Sequence, residues 1–201
     1  AWEFLVHELA SESGVVVPEA TLLRLAGEHR TYCARRFDRA GPTRLLFASA
    51  MTLTGKRDGE DATYLDIAQA ITQHGDPAVV EGDLEQLFRR VVFNVLVGDR
   101  DDHLRNHGFL RGANGWRLAP AFDLNPAPEK AEHALALDEA IRQPDLALVR
   151  ATAGLYQLAA SRAGAIVDEV RVGLSSWRNT ARRVGISADE ITLLASTLDP
   201  Q

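Results

Sequence analysis

The chain has 201 residues, 46% of them hydrophobic and 25% charged, which is enough apolar material for a substantial core in one domain or one lobe of a larger one. Its net charge of −6 and pI near 5.5 offer no broad positive field, which argues against direct nucleic-acid binding through phosphate neutralisation. Cys33 is the single cysteine, so an internal disulfide is excluded and a reducing compartment, the cytoplasm, is expected; no apolar run approaches the roughly 20 residues of a membrane helix, and no signal-peptide pattern opens the chain.

The pattern is amphipathic from the start. Trp2, Leu5, Val6 and Leu9 predict a helix over 1–13 that needs a partner surface and stops at Gly14, and the chain reads as a piece of something longer. Strands are expected over 21–25 and 31–37, joined by a turn at Gly27-Glu28, with Cys33 as a small buried hydrophobe. The apolar run 45–53 reads as helix, 55–61 as charged loop, and 61–74 as a second helix closed by Gly75-Asp76-Pro77. Asp83 followed by Gln86 has capping-box spacing and opens a long helix, in which Phe88, Val91, Val92, Val95 and Leu96 recur at helical intervals until Gly98. A polar loop over 99–106 comes next, then two short strands, 107–111 and 116–119, about a Gly112-Ala-Asn-Gly115 turn. Asn125 is extended because proline follows it, and 133–138 alternates enough for a short strand, with helix as the other reading. The tail predicts helices over 146–158, 161–181 and 189–198, the last behind a Ser187–Glu190 capping box, with Trp177 as a core anchor. The fold class expected is mainly α with short β-hairpins.

Chemistry concentrates between residues 93 and 125. With the turn centred between Ala113 and Asn114, Asn106 lies opposite about Ala121, so Asp123 is two residues beyond and the two side chains come within roughly 7 Å. One cation could bridge them. Asp101, five residues before Asn106, shares the loop; neither Asp99 nor Asp102 has that spacing. An acid that takes a proton from a hydroxyl, with an amide and a second acid that hold Mg²⁺, is the minimal equipment for phosphoryl transfer. The bland account of the same residues is turn chemistry, since Asp and Asn side chains cap nearby backbone in loops.

GDRDDHLRNHGFL, GWRLAPAFDLNP, RRFDR and the stretch from HALALDEAIRQPDL to VRVGLSSWRNTARRVGIS together resemble the C-terminal lobe of HipA-family serine/threonine kinases, the toxins of HipA/HipB toxin–antitoxin pairs. The resemblance runs over nearly the whole chain. It implies a protein-kinase-like large lobe over 1–201, in which 1–39 is edge and hinge from the small lobe and 40–201 is the helical catalytic lobe. It makes Asp101 the catalytic base, Asn106 and Asp123 the Mg²⁺ ligands, and His103 a catalytic-loop residue near the phosphates. Arg35, Arg36, Phe37 and Asp38 fall in the segment that seats the adenine of ATP, through backbone groups for the most part. It further implies a protein substrate and a HipB-like DNA-binding antitoxin, with no direct nucleic-acid contact and no membrane.

Two other readings compete. A small-molecule phosphotransferase of the aminoglycoside-kinase kind shares the Asp, Asn, Asp arrangement, but such enzymes usually carry His two residues before the base, where Asp99 stands here. A catalytically incomplete nucleotide-binding or interaction module, needing a separate N-terminal lobe, is suggested by the lack of a Gly-rich phosphate loop or a strand lysine upstream of residue 30. His103 and His107, four apart, would face one metal only on a helix, and the loop-then-strand pattern there argues against zinc.

Overall fold

The structure, a computed structural model, describes residues 2–26 and 29–199. Helix α1 (Trp2–Glu12) turns Leu5, Val6 and Leu9 fully inward, and Gly14, at φ 74°, ends its run. Strands β1 (Ala20–Ala26) and β2 (His29–Ala34) form the expected antiparallel hairpin, in register Thr21↔Cys33; the predicted turn at Gly27-Glu28 lies outside the described residues. Cys33 is half-buried, against the expectation of a fully buried side chain.

β2 stops at Ala34, three residues before the predicted end. Phe37 leaves the strand direction to meet Phe47 and Phe122, and the chain enters a two-residue ladder between β3 (Arg39–Ala40) and β4 (Thr43–Arg44). The apolar run at 45–53 is also not one helix. Its first part is strand β5 (Phe47–Ser49), and Ser49 then caps the short α2 (Ala50–Thr54) by accepting the Thr52 N–H at 3.3 Å. The serine is the divider, because its hydroxyl offers the next turn an N-cap acceptor.

Helix α3 (Tyr64–His74) begins at a Thr63–Asp66 capping box and ends at Gly75, as its boundary residues suggest. Helix α4 (Val80–Val97) starts earlier than Asp83 and has no side-chain cap. Asp83 accepts the Leu118 N–H at 2.8 Å instead, and Gln86 bridges the Val16 N–H and the Gly14 C=O, so tertiary contacts have claimed both members of the predicted capping pair. Gly98, at φ 69°, closes α4 as expected.

Strands β6 (Gly108–Arg111) and β7 (Trp116–Leu118) pair antiparallel in register Leu110↔Arg117, the register that a turn centred on Ala113-Asn114 demands; β5 adds to the other edge of β6. Neither a strand nor a helix forms over 133–138. A single bridge ties Ala136 to Thr63, through N–H and C=O bonds to Ala62 and Tyr64, so the alternation there reflects an extended segment lying against the start of α3. Helix α5 (Leu146–Ala151) tightens into a 3₁₀ turn, Thr152–Tyr156, and the long helix predicted over 161–181 breaks into α6 (Ala160–Leu174) and α7 (Trp177–Val184). The break falls at Ser175-Ser176, where the Ser175 hydroxyl donates back to the Val172 carbonyl at 2.7 Å. Helix α8 (Ala188–Leu198) carries the Ser187–Glu190 capping box.

One core cluster runs from Leu5 to Leu198 and includes Trp177; α4 lies within it, with Leu84, Leu87, Phe88, Val92, Phe93 and Val97 at zero exposure. Helices thus predominate over small antiparallel sheets, the class expected from periodicity. Among the described residues no helix is long and apolar enough to cross a membrane.

Candidate active site

Asp83, Arg90 and Asn94 lie seven and then four residues apart, so helical periodicity sets them on one face of α4. Each holds a different part of the 99–123 region. Asp83 receives the β7 amide, and the buried Arg90 donates Nη2 to the Ala119 carbonyl at 2.5 Å, just past the end of β7. Asn94 Nδ2 donates to Asp102 at 2.8 Å.

Asp102 anchors the loop. Its carboxylate is 2% exposed and also accepts from the Tyr64 hydroxyl and from His107 Nε2, each at 2.8 Å, so α3, α4, the loop and the start of the hairpin meet on one acid. Burial pushes its carboxyl up, but the charge and hydrogen bond of His107, the Tyr64 hydroxyl and the charge of His103 leave it below the ordinary carboxylate range. On its other flank, the Leu104 and His107 carbonyls accept the first amides of α2, Met51 and Ala50, at 3.3 and 2.7 Å.

The hairpin register brings Asn106 to Asp123. Asn106 Nδ2 donates to Asp123 Oδ2 at 3.2 Å, and Asn125 Nδ2 lies 3.5 Å from the other carboxylate oxygen. Asp123 stands at φ 59°, a left-handed conformation uncommon for a residue with a Cβ and one that tends to mark functional sites. Phe122, one residue before, packs on Phe37 at 5.6 Å between ring centroids; this contact joins the 35–38 segment to the site. Gly108 makes room for the same aromatic group, since a Cβ there would stand 2.3 Å from the Phe47 ring.

Asp101 is exposed on the loop, and its carboxylate pairs with the Lys130 ammonium. His103 accepts the Asn106 N–H at its carbonyl (2.9 Å), while its own Nδ1 is buried without a partner. Of the 35–38 group, Arg35 pairs with Glu19 at 2.9 Å and Arg36 with Asp38 at 2.6 Å, so these side chains are engaged with their own neighbourhood, while Phe37 packs on Phe122, the residue before Asp123. His107 gives Nε2 to Asp102, and among the described residues no further His, Cys, Asp or Glu joins His103 and His107 in a three-ligand group of the kind zinc requires.

A divalent cation fits here on chemical grounds. Among the described residues no three His, Cys, Asp or Glu side chains converge to hold a metal by themselves. Asp123 offers carboxylate oxygens and Asn106, whose Nδ2 faces Asp123, offers Oδ1 once its amide turns over; these are hard oxygen donors, the sparse protein set that Mg²⁺ uses when phosphates and water complete its shell.

Several members of this neighbourhood carry no sequence signal of the kind used above. Asp99 is 2% exposed; burial first, and then the charge of Asp102, push its carboxyl up to about 9, with Asp123 and Asp101 adding to the rise. Glu3, on the first turn of α1, is also raised, by burial and by the nearby charge of Asp123. The Asp-Leu-Asn spacing of Asp123 and Asn125 was available as an Asx signal, whereas Glu3, Tyr64 and Lys130 arrive from distant parts of the chain.

A family model described as the HipA-like C-terminal domain matches residues 1–178. The chain belongs to the HipA-like C-terminal domain family. This HipA-like chain is 30% identical over 145 residues to the Haemophilus influenzae protein named "Putative kinase", covering 63% of its own length and 42% of that relative. Among solved structures it is similar to a chain from the Shewanella oneidensis toxin–antitoxin complex of HipA, HipB and operator DNA, with a TM-score of 0.73 at 17% identity, over 98% of this chain and 53% of that one. It is also similar to the Helicobacter pylori proinflammatory kinase CtkA, with a TM-score of 0.70 at 17% identity, over 98% of this chain and 78% of that one. These likenesses establish a HipA-type kinase-like fold, and the chain spans less than half of the curated relative and about half of the Shewanella chain.

Proposed function

We propose that this HipA-like domain is the large lobe of an ATP- and Mg²⁺-dependent serine/threonine protein kinase, the toxin of a type II toxin–antitoxin pair. It acts in the cytoplasm on a protein target, and a HipB-like DNA-binding antitoxin restrains it. Residues 40–201 form the catalytic lobe; residues 1–39 are edge and hinge, with α1 anchored in the core of that lobe. Asp101 orients the acceptor hydroxyl and takes its proton. Asn106 and Asp123 hold Mg²⁺, which when bound neutralises phosphate charge. His103 braces the loop beside the phosphates, and the backbone of Arg35, Arg36, Phe37 and Asp38 seats the adenine next to the Phe37–Phe122 contact.

The observation that carries this reading is the 3.2 Å contact of Asn106 with Asp123, with Asp123 held at φ 59° on the far side of a hairpin. Asp and Asn used only as turn formers bond to nearby backbone, and have no need to meet across 17 residues. The test is calorimetry with Mg-ATP together with phosphate transfer to a protein lysate. Asp101→Asn keeps nucleotide binding and loses transfer, whereas Asp123→Asn loses Mg²⁺-dependent binding as well. Parent-like transfer in either variant would overturn the assigned roles.

A second reading, a nucleotide-binding lobe that is incomplete alone, is favoured by one observation: residues 1–30 carry neither a Gly-rich loop nor a lysine. Binding without turnover, with turnover restored by adding a small-lobe protein, would select it.

A further inference from the structure

Downstream of Asp123 the chain runs back beside the 99–106 loop and is bonded to every residue from 98 to 101. The Ala127 N–H donates to the Gly98 carbonyl at 2.9 Å, and His133 Nδ1 lies 3.2 Å from the Asp99 carbonyl. The Ala134 N–H donates to the Arg100 carbonyl at 3.0 Å, and the Arg100 guanidinium reaches the Lys130 carbonyl. Lys130 is therefore delivered to Asp101 by backbone stitching on both sides, and its ammonium pairs with the Asp101 carboxylate.

Lys130 is one of only two lysines among 22 basic residues. Among the described residues it is also the one basic side chain paired with a carboxylate of the Asp101, Asn106 and Asp123 group. Arg100 keeps its charge but directs it to the Lys130 carbonyl and to a cavity that it lines with Arg171 and Arg178 and that none of Asp101, Asn106 and Asp123 lines, while Arg105 is paired with Asp58. The transferred phosphoryl group carries its negative charge on three equatorial oxygens through the transition state, and a site with only acids on that side would repel it.

Resting on the kinase reading above, we propose that Lys130 is a catalytic residue, whose ammonium contacts the transferred phosphoryl group beside Asp101. In that step a bond forms between the acceptor oxygen and the γ-phosphorus. The bond from the γ-phosphorus to the β–γ bridging oxygen breaks, its electron pair leaving on ADP. The hydroxyl proton passes to Asp101, and Lys130 keeps all its protons. A lysine suits the role because its compact charge and three donors turn freely, and an exposed ion pair is held weakly enough for the ammonium to exchange onto phosphate.

The test labels amines with acetic anhydride and reads Lys130 and Lys56 separately by peptide mass spectrometry. Lys56, held 2.8 Å from Asp66, is the internal reference. With Mg²⁺ and a non-hydrolysable ATP analogue, Lys130 labelling falls several-fold while Lys56 is unchanged; with Mg-ADP, which lacks the γ-phosphate, Lys130 labels as in the free protein. Unprotected Lys130 in a sample whose nucleotide binding is registered by calorimetry overturns the proposal and leaves the kinase reading intact, whereas absence of any nucleotide binding overturns both. In the full protein that carries this chain, Lys130→Met lowers transfer by about a hundredfold with little change in Mg-nucleotide affinity, and Lys130→Arg recovers part of the rate. A Lys130→Met protein that transfers phosphate as fast as the parent, or faster, while Asp101→Asn is inactive, overturns the role given to Lys130 alone.

Discussion

Asp99 and Asp102 are three residues apart, both 2% exposed, and they hold opposite protonation states at neutral pH. Three donors keep Asp102 ionised, while Asp99, with a single 3.3 Å backbone donor from Asn125, is raised to about 9 by burial and by its neighbour's charge. The fold therefore binds a proton at Asp99 that the unfolded chain releases near pH 4. That contribution to stability is whole below about pH 4 and is lost as pH rises toward 9. His133, lowered to about 4 by burial, acts on the other flank: it stays neutral in the fold, and its contribution is lost as pH falls from its ordinary value toward 4. Urea midpoints should therefore decline from pH 7 to 9 in the parent, and Asp99→Asn should flatten that decline; an unchanged slope would place its origin elsewhere. Asp102→Ala leaves Tyr64, Asn94 and His107 without their acceptor and should cost about 3 kcal/mol by urea denaturation. None of this could be read from the Asp99-Arg-Asp-Asp102 string. Its three aspartates are identical in sequence, and only their burial and partners tell a neutral acid from an anchored anion.

At the scale of elements, α4 positions the site through one face. Asp83 is half-buried and raised by desolvation, yet the Leu118 amide and the Arg117 and Arg90 charges pull against that rise, and its bond to β7 sets where the hairpin sits. Asp83→Ala should lower stability by about 1–2 kcal/mol, whereas Glu81→Ala, exposed on the same first turn of α4, should stay within about 0.5 kcal/mol in the same denaturation assay. The hairpin register was legible because side-chain alternation and a short turn fix it locally. The split of the tail at Ser175-Ser176 was not, since its apolar spacing continues through the break. A long-range contact adjoins the break: Gly173 packs so closely on the residue that follows α1 that a Cβ would stand 2.6 Å from the Ser13 backbone. Gly173→Ala should cost about 1–3 kcal/mol through overpacking, measurable as a lowered unfolding midpoint.

The whole molecule is built on one core, shared by its first and last helices. Leu9 in α1 and Leu194 in α8 both have zero exposure. Leu9→Ala and Leu194→Ala should each cost about 2–5 kcal/mol and shift a single transition followed by far-UV dichroism and tryptophan fluorescence; two separate transitions would show that α1 belongs to a different folding unit. By itself the sequence determined the mainly helical class, the hairpin after α4, the pairing of Asn106 with Asp123 and the family, because periodicity, turn chemistry and a dense run of polar residues act over short separations. Tertiary structure decided which acid is anchored, which is neutral and which is exposed, and it brought Glu3, Tyr64 and Lys130 to them. Those outcomes depend on desolvation and on partners tens of residues away, and burial is a property of the packed chain that no local window of sequence contains.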